Sequence, residues 1–312
     1  MITCKSVDII DQIYGLTLPS KLSQAIKDDT LFTRDNIPIL QTNVVTIRNA
    51  QSQQLDAQKL QRHHTIMQWL SSTDFPAQQH DIISRRQEGT GQWLLDSPEF
   101  KSWLQGPNGT LFCPGIPGAG KTMMAAIAID HLGRLAQADV GLEYLFCNYK
   151  SQVNQSLYGL LSALLKQLLQ SRTDVAAPVM RLYDHHSTRK SRPSLDEIST
   201  ALLTVCSNHA GVYIVVDALD ECTDRDRARN QLVEKLRELQ TRTNVRLLFT
   251  SRFIPEITEK FRSGPILEIR ASEEDVKRFV AGQIPRLPSC IRRDDELTRA
   301  VQSKIVEAID GM

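Results

Sequence analysis

Cysteine is scarce and unpaired in this chain: six residues, at 4, 113, 147, 206, 222 and 290, with no CxxC pair and no other metal-ligand spacing. Neither a zinc site nor a redox dithiol is therefore written in the sequence. Charge of one sign is equally lacking, since 37 Lys and Arg face 36 Asp and Glu for a net +1. Nucleic-acid binding thus has no support from composition. No apolar run approaches the roughly 20 residues that a bilayer span needs, and the opening Met1-Ile-Thr-Cys-Lys5 has no signal-peptide core. These absences predict a reducing, intracellular setting, cytoplasmic and without a membrane span. Internal repeats are missing as well, and 312 residues suffice for one large core or two modest ones.

What is present is a phosphate-binding pattern. Gly115-Ile116-Pro117-Gly118-Ala119-Gly120-Lys121-Thr122 is a complete GxxxxGKT loop, which average residue frequencies would produce by accident in roughly one chain per hundred of this length. Its surroundings weaken accident further. Thr110 to Cys113 reads as a short apolar strand broken by Pro114 and Gly115, and the nearly polar-free run after Lys121 reads as a buried helix. Strand, glycine loop and helix N-terminus is the order in which backbone N–H groups and the positive helix end converge on phosphates. Lys121 would then bridge the β- and γ-phosphates, and Thr122 would ligate Mg²⁺.

Residues 1–75 are polar and glutamine-rich, with fragments of helical periodicity at Leu55, Leu60, Met67 and Leu70, and read as a helical lead-in closed by Pro76 and the polar run after it. An NTPase domain is expected over 76–271. Within it, strands are predicted at Leu142–Cys147, Val212–Val216, Val245–Phe249 and Ile266–Ile269. Helices are predicted from the leucine stripe Leu157 to Leu168, from the Ser194–Glu197 capping box, and from about Arg225 to Gln240. Such alternation predicts a mainly parallel sheet covered on both faces. Residues 272–312 read as two helices, the first capped by Ser272 and the second from about Asp294 to Ile309.

The strand Val212-Tyr-Ile-Val-Val216 ends in Asp217-Ala-Leu-Asp220-Glu221. Apolar residues followed by an aspartate form the second nucleotide-site motif, which would bring Asp217 beside Thr122 to hold Mg²⁺. Asp220 and Glu221 lie where a carboxylate orients or deprotonates water. Glu221 is favoured for that role and Asp220 for support of the metal shell, although spacing alone does not separate them and the pair also suits the cap of a turn. The strand Val245–Phe249 leads to Thr250, Ser251 and Arg252 at the ligand edge of such sheets, where Arg252 would read a γ-phosphate; a surface arginine after a strand is the plainer reading. His63-His64 and His185-His186 lack the partners of a zinc site. Arg225, Arg227 and Arg229 fit a solvated helix face better than arginine fingers. Met123 and Met124 read as core.

Together these segments resemble the NACHT-type NTPases of the STAND class, most of all fungal NACHT proteins with a nephrocystin-like N-terminal NTPase domain. The residues that carry the likeness are Arg85 to Phe100, Cys113 to Thr122, Val216 to Cys222 and Phe249 to Arg252. The resemblance implies a three-layer α-β-α P-loop sandwich with a five-stranded sheet, in which the Arg252 strand lies between the other two motif strands. It implies ATP or ADP with Mg²⁺, Asp220 and Glu221 as hydrolytic acids, Arg252 as sensor, and Gly89-Thr90-Gly91 on the adenine side. No NKxD motif follows, in agreement with ATP over GTP. A nucleotide-dependent switch with slow hydrolysis, self-associating when ATP-bound, is the implied activity, with a non-hydrolysing scaffold and a small-molecule kinase as its rivals. Family members continue into a winged helix and repeats, so a truncated or minimal form is expected of a chain that stops at Met312.

Overall fold

The computed structural model describes residues 20–136, 139–150, 155–170, 175–222 and 227–284, with 296–297, 299–300 and 303–305 beyond them. Cys4, Arg225, Cys290 and most of the helix expected from Asp294 to Ile309 lie outside the described residues. The chain divides into two units, Met1–His64 and Thr65–Met312.

Helix α1, Ser20–Leu70, contributes most of its length to the first unit. Its described apolar side chains there, among them Val45, Ile47, Leu55 and Leu60, are exposed, which is what scattered apolar positions without a continuous stripe produce. In the second unit Ile66, Met67 and Leu70 of its last turn are buried. Helix α2, Phe75–Ser84, follows at once. Asp74 caps α2 through the Ala77 N–H, and Pro76 stands in its first turn. First-turn amides have no helical acceptor, so a proline loses nothing there. Two short helices come next, α3 at Gln92–Asp96 and α4 at Pro98–Gln105, the latter burying Phe100 and Trp103.

Strand β1, Thr110–Pro114, leads through the glycine loop into α5, Lys121–Leu135. Then come β2 (Val140–Phe146), α6 (Leu157–Gln170), α7 (Ala177–Arg189) and α8 (Leu195–Ser207), the last with both bonds of the Ser194–Glu197 capping box formed. Strand β3 (Gly211–Asp217), α9 (Ala228–Arg242), β4 (Val245–Ser251) and α10 (Glu273–Gln283) complete the order. Helix α7 was not anticipated. Its buried His186 joins it to α8 through Ser191 Oγ at 2.7 Å and Glu197 Oε1 at 3.2 Å.

All pairings are parallel, in the order β1-β4-β3-β2. The Arg252 strand thus does lie between the other two motif strands. Helices α6, α8 and α9 cover one face and α5, backed by α2 and α3, the other, because these helices carry the apolar stripes that only a sheet can bury. The expected fifth strand is a correction. Among the described residues the sheet has four strands, and the segment at 265–269 runs beside β1 with one isolated bridge, Phe112 to Ile266, rather than as a strand. Phe112 N–H donates to Pro265 O, Leu267 N–H to Phe112 O and Ile269 N–H to Pro114 O, at 3.1, 2.9 and 2.7 Å. Pro265 and Pro114 have no N–H to extend this ladder toward Thr110 and toward Leu267. Among the described residues no helix is long and apolar enough to cross a membrane.

Candidate nucleotide site

The register sets Pro114 of β1 opposite Ser251 of β4, and Phe146 of β2 opposite Asp217 of β3. All four strands therefore end at one edge, and the glycine loop, the acidic turn and Arg252 meet there. Gly118 and Gly120 have φ of 83° and 87°, with nothing within 4 Å of a built Cβ. They hold the left-handed angles that wrap the loop, and the space above them is open. Gly115 serves a different need, since a Cβ there would lie 2.5 Å from Ile269 O. Lys121 Nζ donates to the Gly115 and Ile116 carbonyls at 2.9 and 2.8 Å. Burial holds the Lys121 pKa below the usual lysine value, opposed by the charges of Asp220, Asp217 and Glu221.

Asp217 is 2 % exposed. Burial raises its pKa, while hydrogen bonds from Thr250 and Thr122 and the charge of Lys121 pull it back. Thr250 is a residue to which sequence reasoning gave no role. Its hydroxyl donates to Asp217 Oδ1 at 2.5 Å and accepts from the Ala218 N–H at 2.9 Å, which orients the carboxylate from the neighbouring strand. Ala218 itself has φ of 53°, a left-handed angle that costs a residue with a Cβ about 1 kcal/mol or more. This bend turns the chain into the short helical turn Leu219–Glu221.

Asp220 and Glu221, inseparable by spacing, differ in their surroundings. The Asp220 side chain is 4 % exposed, with Oδ1 accepting the Arg252 backbone N–H at 3.0 Å and Oδ2 facing Arg252 Nε at 3.0 Å. Both its oxygens are engaged. Glu221 is 25 % exposed and, among the described residues, receives Arg252 Nη2 at 3.3 Å and the Tyr149 N–H at 3.5 Å. It is the carboxylate that water reaches.

Gly89, Thr90 and Gly91 come to the other side of the loop. Thr90 lines a largely apolar cavity of about 540 Å³ with Gly118, Gly120, Met123, Met124 and Phe279. The Gly91 N–H is held by Asp275 Oδ2 at 2.8 Å. Met124 is buried, as expected of core, yet both methionines face this cavity, a position no periodicity reveals because α5 is apolar all round. Ile116 and Pro117 are exposed on the loop and Ala119 is buried under it. Arg229 turns toward Glu256, 3.9 Å away, and Arg227 takes a left-handed angle before α9. No cluster of three or more His, Cys, Asp or Glu side chains suited to a metal occurs among the described residues. The donor set that would fit Mg²⁺ is the smaller one of a hydroxyl and a carboxylate: Thr122, hydrogen-bonded to the buried Asp217, which Lys121 faces.

Solved structures similar to this chain include a Walker-type ATPase of Pyrococcus abyssi, at 13% identity over 72% of this chain and 64% of that one, with a TM-score of 0.43. The replication initiator DnaA bound to AMPPCP and single-stranded DNA gives 11%, 73%, 63% and 0.40 in the same order. Domain III of the Thermotoga maritima initiator DnaA gives 14%, 70%, 85% and 0.39. Scores this low carry no argument about function. The chain spans less than two thirds of the first two structures. No curated protein matches. The family comparison is of another kind: the sequence model of the nephrocystin 3 N-terminal region matches residues 89–252, more than half of the chain, from the glycine block beside the cavity to the arginine after β4. On that match, and on the parallel sheet and loop geometry above, the chain belongs to the nephrocystin 3 N-terminal family, a P-loop NTPase of NACHT type.

Proposed function

We propose that this protein binds ATP with Mg²⁺, hydrolyses it slowly, and uses the difference between ATP and ADP as a switch that controls self-association. The observation that carries this reading is the meeting, at one sheet edge, of the Gly115–Thr122 loop, the buried Asp217, the water-accessible Glu221 and Arg252. The loop N–H groups and Lys121 would hold the phosphates, which requires Lys121 to leave the carbonyls of its own loop. Thr122 and Asp217 would hold the cation, whose charge offsets the cost of keeping Asp217 buried and ionised. A cation held by Thr122 and Asp217 would supply positive charge against that of the phosphates. Glu221 takes a proton from the attacking water, and Asp220 positions Arg252 rather than acting as a base. The cavity lined by Thr90, Met123 and Met124 would take the purine, a reading supported by Thr90 of the Gly89–Gly91 block lying in its wall.

A γ-phosphate contacts Arg252 and Lys121 in one nucleotide state only, and a ligand shifts a conformational equilibrium only through such differential contacts. The nucleotide domain is assigned to residues 76–271, with a helical lead-in before it and the start of a helical subdomain after it. An intracellular, cytoplasmic signalling role without nucleic acid fits the near-neutral charge.

Two variants test the reading. Lys121→Ala is expected to abolish binding of a fluorescent ATP analogue with circular dichroism unchanged. Glu221→Gln is expected to retain binding and to lower ATP turnover by about a hundredfold or more, the usual share of a general base. Unaltered affinity in the first would overturn nucleotide binding by this loop. Absence of turnover in the wild type, with binding intact, would leave a non-hydrolysing scaffold.

A further inference from the structure

Arg252 is held at two points of unequal strength. Its backbone N–H and Nε are fixed by the two oxygens of the buried Asp220, each at 3.0 Å. Its outer nitrogen, Nη2, reaches Glu221 Oε1 across 3.3 Å, between side chains that are 47 % and 25 % exposed. A buried, doubly bonded anchor is expensive to break, whereas a long and partly hydrated contact is cheap. Arg252 thus has a tethered base and a loose tip, and the tip rests on the carboxylate assigned above to water activation. The register that sets Pro114 opposite Ser251, with the Gly115 N–H donating to Ser251 O at 3.0 Å, puts Arg252 beside the start of the phosphate loop.

We infer that Arg252 exchanges partners, from Glu221 to the terminal phosphate of a bound nucleoside triphosphate, so that Glu221 becomes available as a base only when the phosphate to be removed is present. The inference deepens the proposed function and rests on it. With a diphosphate bound, Arg252 has no new acceptor and Glu221 stays neutralised. With a triphosphate, Arg252 pivots about Asp220, a charge-assisted bond to phosphate replaces the one to Glu221, and the freed carboxylate faces water. No proton or covalent bond is transferred in this step. Asp220 is on this account a positioning residue and Arg252 the latch.

The distinguishing consequence is thermodynamic. Triphosphate binding must break the Arg252–Glu221 contact and diphosphate binding need not, so the two residues are coupled in their effect on triphosphate preference. The test is a double-mutant cycle on the full chain, with dissociation constants for Mg²⁺–β,γ-methylene-ATP and Mg²⁺–ADP measured calorimetrically in wild type, Glu221→Gln, Arg252→Ala and the double variant. Glu221→Gln is expected to raise the triphosphate-to-diphosphate affinity ratio about tenfold, the size of one charge-assisted hydrogen bond no longer broken. In the Arg252→Ala background the same change should raise it less than about twofold. Arg252→Gln supplies the cycle if the alanine variant fails to fold. An equal gain in both backgrounds would mean simple repulsion between Glu221 and phosphate, and no gain in either would mean that Arg252 does not leave Glu221; both outcomes overturn the exchange. If the wild type binds both nucleotides and the cycle shows no coupling, this inference alone is lost. If it binds neither, the proposed function falls with it.

Discussion

Two buried carboxylates on adjacent strands, Asp217 and Glu143, receive opposite treatment from their surroundings. Asp217 is desolvated but bonded by Thr250 and Thr122 and faced by Lys121. Glu143, 1 % exposed in β2, has one carboxyl oxygen without a hydrogen-bond partner, and burial pushes its pKa well above the usual 4.5. The sign of its effect follows. Folded protein holds the Glu143 proton where the unfolded chain has lost it, so its contribution to stability is fully present below pH 4.5 and declines as pH rises toward the folded pKa. Glu143→Gln is expected to remove this decline and to narrow the gap between melting temperatures at pH 5 and pH 8. An unchanged gap would show that Glu143 does not titrate across folding. At this scale the residue types at 121, 122, 217, 221 and 252 were legible in the sequence, because phosphate and metal chemistry admits few alternatives. Thr250 was not, since a threonine before a serine in a strand end carries no pattern of its own until the neighbouring strand supplies Asp217.

Elements follow periodicity closely where one face is apolar. The leucines of α6, from Leu157 to Leu168, are buried as the spacing predicts, and the α8 capping box forms with both its bonds. Gln167 interrupts that stripe for a reason periodicity does not reveal. β2 is an edge strand, and the Gln167 amide accepts from the Tyr144 N–H at 3.1 Å while donating to the Tyr144 carbonyl at 2.9 Å, as a further strand would. An uncovered edge invites pairing with another chain. Gln167→Ala is expected to cost about 1–3 kcal/mol, the range for buried backbone groups losing their partners, and to lower the midpoint of urea unfolding accordingly. No shift in midpoint would mean that water replaces the amide without loss. Helix α7 escaped a reading by period, whereas the 265–269 segment has the apolar run of the strand predicted there without forming one. A helix with few buried residues has no clear stripe, and a segment that meets β1 on one side, interrupted by Pro265, is extended without becoming a strand.

On the scale of the molecule, the three layers place the phosphate loop, the acidic turn and Arg252 at one edge while the largely apolar cavity opens on the α10 side of the loop. If nucleotide state governs self-association, sedimentation of the full chain with Mg²⁺ and β,γ-methylene-ATP is expected to give a larger mass than with ADP, and Arg252→Ala is expected to abolish the difference. Equal masses in both nucleotides would restrict the switch to changes within one chain. The sequence by itself determined the chemistry: a glycine loop with Lys121 and Thr122, an apolar strand delivering Asp217, and the parallel α/β alternation that turns all strand ends to the same side. Local spacing is enough for these because the loop and strand motifs are contiguous in the chain. Only the tertiary structure decided the rest: that Asp220 anchors Arg252 while Glu221 faces water, that Met123 and Met124 line the cavity with Thr90, and that the sheet has four strands among the described residues. Each of those depends on which distant segments share an edge, and hydrogen-bond register and burial fix that only once the layers have packed.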